Sequence, residues 1–149
     1  MSGEAGDIPG LDPAIGRAPP LRSRWGRRSP GGFDGGVGSD RGGASYAALD
    51  LGTNNCRLLV ARPAGDSFRV VDAFSRIIRL GEGVSSSRRI SEAAIERAVD
   101  ALTICRNKMK NKGVTRARLI ATEACRLAEN GDEFRARIAQ DVGIELEVI

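Results

Sequence analysis

Residues 46 to 61 read YAALDLGTNNCRLLVA, and this stretch decides the fold. Tyr46 to Asp50 is a short apolar run that ends in an acid. Residues 51 to 55 form turns, and Cys56 to Ala61 is apolar again through Leu58, Leu59 and Val60. Two such runs around a Gly/Asn turn read as an antiparallel hairpin.

Working outward, Pro63 to Ser67 reads as a second turn and Phe68 to Phe74 as a third strand. Residues 75 to 90 are polar and Gly-containing around Ile77, Ile78 and Leu80, and read as an extended segment followed by a loop. A long helix follows. Ser91 stands as its N-cap, with Ile90 and Ile95 at the spacing of a hydrophobic staple. Ile95, Val99, Leu102, Cys105 and Met109 form one apolar stripe, and Gly113 supplies a left-handed exit behind Lys108, Lys110 and Lys112. Arg116 to Ala121 is the fourth strand. A second helix starts near Asn130, where Asn130 and Glu133 have capping-box spacing, carries Phe134 and Ile138 on one face and ends at Gly143. Ile144, Leu146 and Val148 alternate with Glu145 and Glu147, the period of a half-buried strand. The order β-β-β-α-β-α-β defines an α/β domain built on a mixed sheet with helical crossovers. Its last strand runs to Ile149, so the domain reads as cut.

Residues 1 to 44 are of another kind. They hold 12 of the 19 Gly and 5 of the 6 Pro, with large apolar residues scattered singly. Such a segment buries too little apolar surface to offset about 1–2 kcal/mol per residue of backbone ordering, and is expected to be a disordered tail. Its one local feature is Arg22-Ser23-Arg24-Trp25-Gly26-Arg27-Arg28. Arginines around an aromatic can hold phosphates and stack on a base, but a solvated basic stretch is the commoner case. The tail's 6 Arg stand against 5 Asp+Glu, which weakens a polyanion reading, and no specific nucleic-acid partner is expected.

Composition excludes more. No His occurs in 149 residues, so Ser-His-Asp and Cys-His mechanisms and His-ligated zinc sites fall away. Cys56, Cys105 and Cys125 are odd in number and widely spaced, which fits neither a disulfide framework nor a metal knuckle and agrees with a reducing, cytoplasmic setting. No apolar run has the roughly 18 residues of a membrane span, and no membrane association is expected.

The chemistry sits in the first turn, Asp50-Leu51-Gly52-Thr53-Asn54-Asn55. An acid at a strand end can hold a magnesium ion through water while the ion bridges phosphate oxygens. Gly52 removes the Cβ that would keep an anion from the backbone amides, and Thr53, Asn54 and Asn55 add hydroxyl and amide donors. The same residue types also occur in turns for backbone reasons alone.

Three segments in order, ALDLGTNNCRLLVA (48–61), FSRIIRLGEGV (74–84) and ATEACRLAENGDEF (121–134), resemble the N-terminal part of the exopolyphosphatase/guanosine pentaphosphate phosphatase (Ppx/GppA) family. The resemblance covers residues 45 to 149. It implies a ribonuclease H-like domain of the actin-like ATPase superfamily. It also implies a hydrolase that uses a divalent cation such as Mg²⁺ to release terminal phosphate from inorganic polyphosphate or the 5′ phosphate from guanosine pentaphosphate. On that resemblance Asp50 would hold the metal, and Gly52, Thr53, Asn54 and Asn55 would form the first phosphate loop. Arg79 and Arg126 would contact phosphate oxygens, Glu82 would lie near the cleft, and Asn130 matches a family position after the fourth strand. Glu123 reads as a helix-start residue, because the family's catalytic glutamate falls beyond Ile149. The isolated chain is therefore expected to be inactive, with a non-catalytic polyphosphate- or nucleotide-binding half-domain as the alternative. Homodimerisation of a full-length protein stays open.

Overall fold

The computed structural model describes residues 43–149, so the reading of residues 1 to 44 as a tail, with its arginine cluster, lies outside the described residues apart from Gly43 and Ala44. The elements are β1 (Ser45–Leu51), β2 (Asn55–Ala64), β3 (Ser67–Ile77), α1 (Val84–Ser87), α2 (Glu92–Asn111), β4 (Val114–Ala121), α3 (Glu123–Leu127), α4 (Gly131–Asp141) and β5 (Glu147–Val148). They build one five-stranded sheet in the order β3-β2-β1-β4-β5. The β3-β2-β1 part is antiparallel, and β1-β4 and β4-β5 are parallel, so the sheet is mixed as expected.

The period of 2 in β1 sets the sides. Ser45, Ala47, Leu49 and Leu51 turn inward, while Tyr46, Ala48 and Asp50 turn outward. The inward residues join Leu58 and Val60 of β2, Ala117 and Leu119 of β4, and the apolar stripe of α2 in a single core. That stripe is Ala94, Ile95, Ala98, Ala101, Leu102, Cys105 and Met109, broader than the sequence expectation because its alanines let helix and sheet approach. The Ser91 hydroxyl accepts a hydrogen bond from the Ala94 N–H at 3.2 Å, as an N-cap should, and Ile90 and Ile95 are both buried beside it. Among the described residues, no helix packs on the outer face of the sheet around Asp50.

Four details depart from the sequence reading. β2 and β3 run through the expected turn at Pro63 to Ser67 and reverse only at Gly65 and Asp66, because Pro63 pairs with Phe68 and Ala64 with Ser67. β3 continues to Ile77, and residues 75 to 90 also contain the one-turn helix α1. A short helix, α3, follows β4 directly: it begins at Glu123, as the helix-start reading of that residue implies, but the order β-β-β-α-β-α-β holds no separate helix there. Asn130 makes no capping box: it precedes α4 without a side-chain cap bond. Its buried amide instead accepts from the Ile90 N–H at 2.8 Å and donates to the Ile90 carbonyl at 3.0 Å, which satisfies a backbone that no strand pairs.

One ion pair ties α2 to the edge strand. Lys108 Nζ donates to Asp72 Oδ1 at 2.9 Å, and this hydrogen bond holds the Asp72 carboxyl below its ordinary value. A carboxyl depressed in the fold contributes stability above its unfolded pKa of about 3.9 and loses it as pH falls through the folded value. Lys108→Met is therefore expected to lower the urea midpoint at neutral pH and to converge with the parent in acid, once the pH falls below the depressed Asp72 value. A gap that persists unchanged at low pH would assign the effect to packing of the lysine stem instead.

Candidate functional site

The turn after β1 is closed by the Gly52 N–H donating to the Asn55 carbonyl at 2.9 Å. A second segment then grips it from behind. The Ile78 and Arg79 N–H groups both donate to the Asn54 carbonyl, at 2.7 and 3.0 Å, and the Gly81 N–H donates to the Thr53 carbonyl at 2.9 Å. A trans peptide is planar, with C=O and N–H on opposite sides. The carbonyls of Thr53 and Asn54 face this hook, so the N–H groups of Asn54 and Asn55 face away from it. Two consecutive amides thus point outward at the end of a strand, the arrangement that receives an anion. Gly81 permits the approach, since a Cβ there would lie 2.3 Å from the Thr53 methyl.

Asp50 stands two residues before Gly52, on the open face of the sheet. Arg57 lies opposite it on β2 and Ile120 beside it on β4. Asp50, Arg57, Leu59, Ser75 and Arg118 line a shallow depression of about 620 Å³. Arg118 also pairs with Glu147 of β5 at 3.2 Å. At the same end of the sheet, the Thr122 N–H and hydroxyl reach the Leu51 carbonyl at 3.2 and 3.5 Å, which brings the start of α3 against the end of β1. Glu123 is exposed in the first turn of α3, where a carboxylate complements the helix dipole. Arg126 is exposed one turn on, its Nη1 donating to the Ile149 carbonyl at 3.4 Å.

Of the sequence candidates, Asp50, Gly52, Thr53, Asn54, Asn55 and the backbone of Arg79 meet at one place, and Arg126 sits on the helix that leaves it. These groups gather at the C-terminal ends of the parallel pair β1 and β4, where open α/β sheets bind ligands. Arg79 itself adopts φ 48, a conformation rare for a side chain of its size. Asn130 does not belong to this group, being bound to Ile90. The hook, with Gly81 and its neighbours, escaped sequence reasoning, although the glycine pair of RLGEG was a visible signal of close backbone approach.

Among the described residues no group of three or more His, Cys, Asp or Glu could hold a metal ion. A protein cage is therefore not built here. A lone carboxylate such as Asp50 would suit only a hydrated divalent ion that keeps most of its waters. The cysteines take no part. Cys56 points into the core, its sulfur 3.9 Å from that of Cys105, and the hydrogen bond between them together with burial pushes the Cys105 thiol up. Burial pushes the Cys125 thiol up to about 12. Neither Cys56 nor Cys125 lines a cleft, contrary to their place in the sequence next to the motifs, because both side chains are buried.

Sheet order and strand-end turn define a ribonuclease H-like α/β domain with a tightly hydrogen-bonded turn after its first strand. Residues 59–149 match the Ppx/GppA phosphatase family, and the chain belongs to it. Among its relatives is the guanosine-5′-triphosphate,3′-diphosphate pyrophosphatase of Aeromonas hydrophila, 34% identical over 104 residues, which cover 70% of this chain and 21% of that protein. A solved Ppx/GppA family member from Aquifex aeolicus superposes with a TM-score of 0.69 at 31% identity, over 71% of this chain and 35% of that one. An exopolyphosphatase from Cytophaga hutchinsonii gives 0.67 at 28% identity, over 70% of this chain and 34% of that one. The chain thus spans between a fifth and a little over a third of the length of these proteins.

Proposed function

We propose that this domain grips the end of a phosphoanhydride chain, inorganic polyphosphate or guanosine pentaphosphate, as part of a hydrolase that releases its terminal phosphate. The observation that carries this reading is the turn Gly52–Asn55, which follows Asp50 in the chain and whose Asn54 and Asn55 amides face away from the hook behind it. In this reading the Asn54 and Asn55 amides, with Thr53, hold phosphate oxygens. Asp50 would hold a hydrated Mg²⁺ or similar ion, which neutralises charge on the transferring group. Arg79 and Arg126 would follow the anionic chain, since guanidinium forks match phosphate oxygens. The base that activates water is placed outside these 149 residues, in the portion of the relatives that the chain does not span. In this reading the reaction takes place in the cytoplasm. Among the described residues no helix is long and apolar enough to cross a membrane.

Calorimetric titration with tripolyphosphate tests the reading. Binding is expected to tighten on adding Mg²⁺, and Asp50→Asn is expected to remove that gain, about tenfold in affinity, while leaving the metal-free affinity nearly unchanged. No phosphate should be released by these residues alone. Binding that ignores both Mg²⁺ and Asp50 would take the carboxylate out of the site, and turnover by the chain itself would overturn the placement of the base.

A further inference from the structure

The hook that grips the phosphate turn is itself held from the far side by one residue of α2. Arg97 Nε donates to the Ile78 carbonyl at 2.7 Å, and its Nη2 donates to the Arg79 carbonyl at 3.3 Å and to Glu82 Oε2 at 3.0 Å. Three acceptors spread over five residues thus converge on one planar guanidinium, a geometry that a lysine ammonium cannot reproduce. Arg79, between the two carbonyls, is in the left-handed conformation with φ 48. A bulky side chain stays there only where its surroundings fix it.

The bonds also run in series. Arg97 Nε–H meets the Ile78 carbonyl. The N–H of that same peptide unit, belonging to Arg79, meets the Asn54 carbonyl at 3.0 Å. The N–H of that next peptide unit belongs to Asn55 and faces outward. A fixed positive charge at one end of such a chain polarises each peptide toward the other end, so the terminal N–H becomes a stronger donor to an anion. The α2 helix, rooted in the core through Ala94, Ala98 and Ala101, supplies the rigid base for this arrangement.

We infer that Arg97 is a positioning residue for phosphate binding: it fixes the hook 78–82 and, through two peptide units, orients and polarises the Asn55 amide. The inference rests on Gly52–Asn55 being the phosphate-gripping turn. Arg97 touches no substrate; it acts through the backbone.

The test uses the 149-residue chain, its Arg97→Gln and Arg97→Lys variants, and tripolyphosphate in metal-free buffer. Amide exchange at Arg79 and Gly81 is expected to rise about tenfold in Arg97→Gln, with exchange at core amides such as Leu49 and Leu102 unchanged. Affinity for tripolyphosphate should fall about tenfold in Arg97→Gln and only about threefold in Arg97→Lys, which keeps the charge but loses the fork. Parent-like affinity in Arg97→Gln would overturn the inference. So would a loss of affinity that comes only with faster exchange throughout the core, which marks a merely structural arginine. If the parent chain itself fails to bind tripolyphosphate, the phosphate reading of the turn falls, and the inference falls with it for that distinct reason.

Discussion

Gly131→Ala is expected to lower the melting temperature by roughly 10–20 °C, although alanine is the better helix former. Gly131 is the first residue of α4 and is buried. A Cβ built on it would lie 2.1 Å from the Cys125 carbonyl oxygen and 3.2 Å from its carbonyl carbon. Those are backbone atoms of α3, so relief requires one helix to move against the other. The helix-propensity gain of about 1 kcal/mol is outweighed by overpacking, and a net loss of about 2–4 kcal/mol follows. For a folded unit of about 100 residues, each kcal/mol is worth roughly 4–8 °C. Thermal unfolding followed by circular dichroism checks this; an unchanged or raised midpoint would mean that the helices do not touch there. The consequence reaches the strand ends, because α3 carries Glu123 and Arg126 against the end of β1. Any accommodation that saves the fold moves those two residues.

The same contact explains what the sequence could and could not disclose. The hairpin, the stripe of α2, its Ser91 cap and the alternation of Ile144 to Val148 were legible because each is a local pattern: the period of the side chains matches the period of the backbone. The turn Asp50–Asn55 stands out as a candidate for a similar reason, since its residue types carry their donors with them. The hook was not, because Ile78, Arg79 and Gly81 act through backbone N–H groups, which every residue type except proline possesses. Only the direction in which the chain returns decides where those groups point. Arg97 was hidden more thoroughly. On a helical wheel it is one more exposed charge on the flank of α2, and its three acceptors lie 15 to 19 residues away in sequence. Cys56 illustrates the converse. Adjacent to the motif in sequence, it faces the opposite side of the sheet, because neighbouring residues on a strand alternate sides.

Asn130 is the sharpest case, and it yields the second large expectation. Local spacing made it an N-cap, whereas the structure spends its whole amide on Ile90, 40 residues away. The two roles predict opposite outcomes. An N-cap needs only an acceptor, so Asn130→Asp would preserve it and Asn130→Leu would cost about 1 kcal/mol. The observed pairing needs an acceptor for the Ile90 N–H and a donor for the Ile90 carbonyl. Asn130→Leu then leaves both backbone groups buried without partners, at about 1–3 kcal/mol each, and a total loss of about 2–4 kcal/mol is expected once partial relaxation is allowed. Asn130→Asp should lose nearly as much, since a carboxylate cannot donate to the Ile90 carbonyl and stands against it. Urea denaturation of the two variants separates the cases, and a parent-like Asn130→Asp would restore the capping role. Local exchange adds the functional link. Ile90 closes the segment that begins at the hook, so the segment is held by Arg97 near one end and by Asn130 at the other. Asn130→Leu should therefore speed amide exchange at Ile90 strongly and at Gly81 weakly, because Arg97 still holds the end nearer the turn Gly52–Asn55, whereas Asn130→Asp, which keeps an acceptor for the Ile90 N–H, should speed exchange there less.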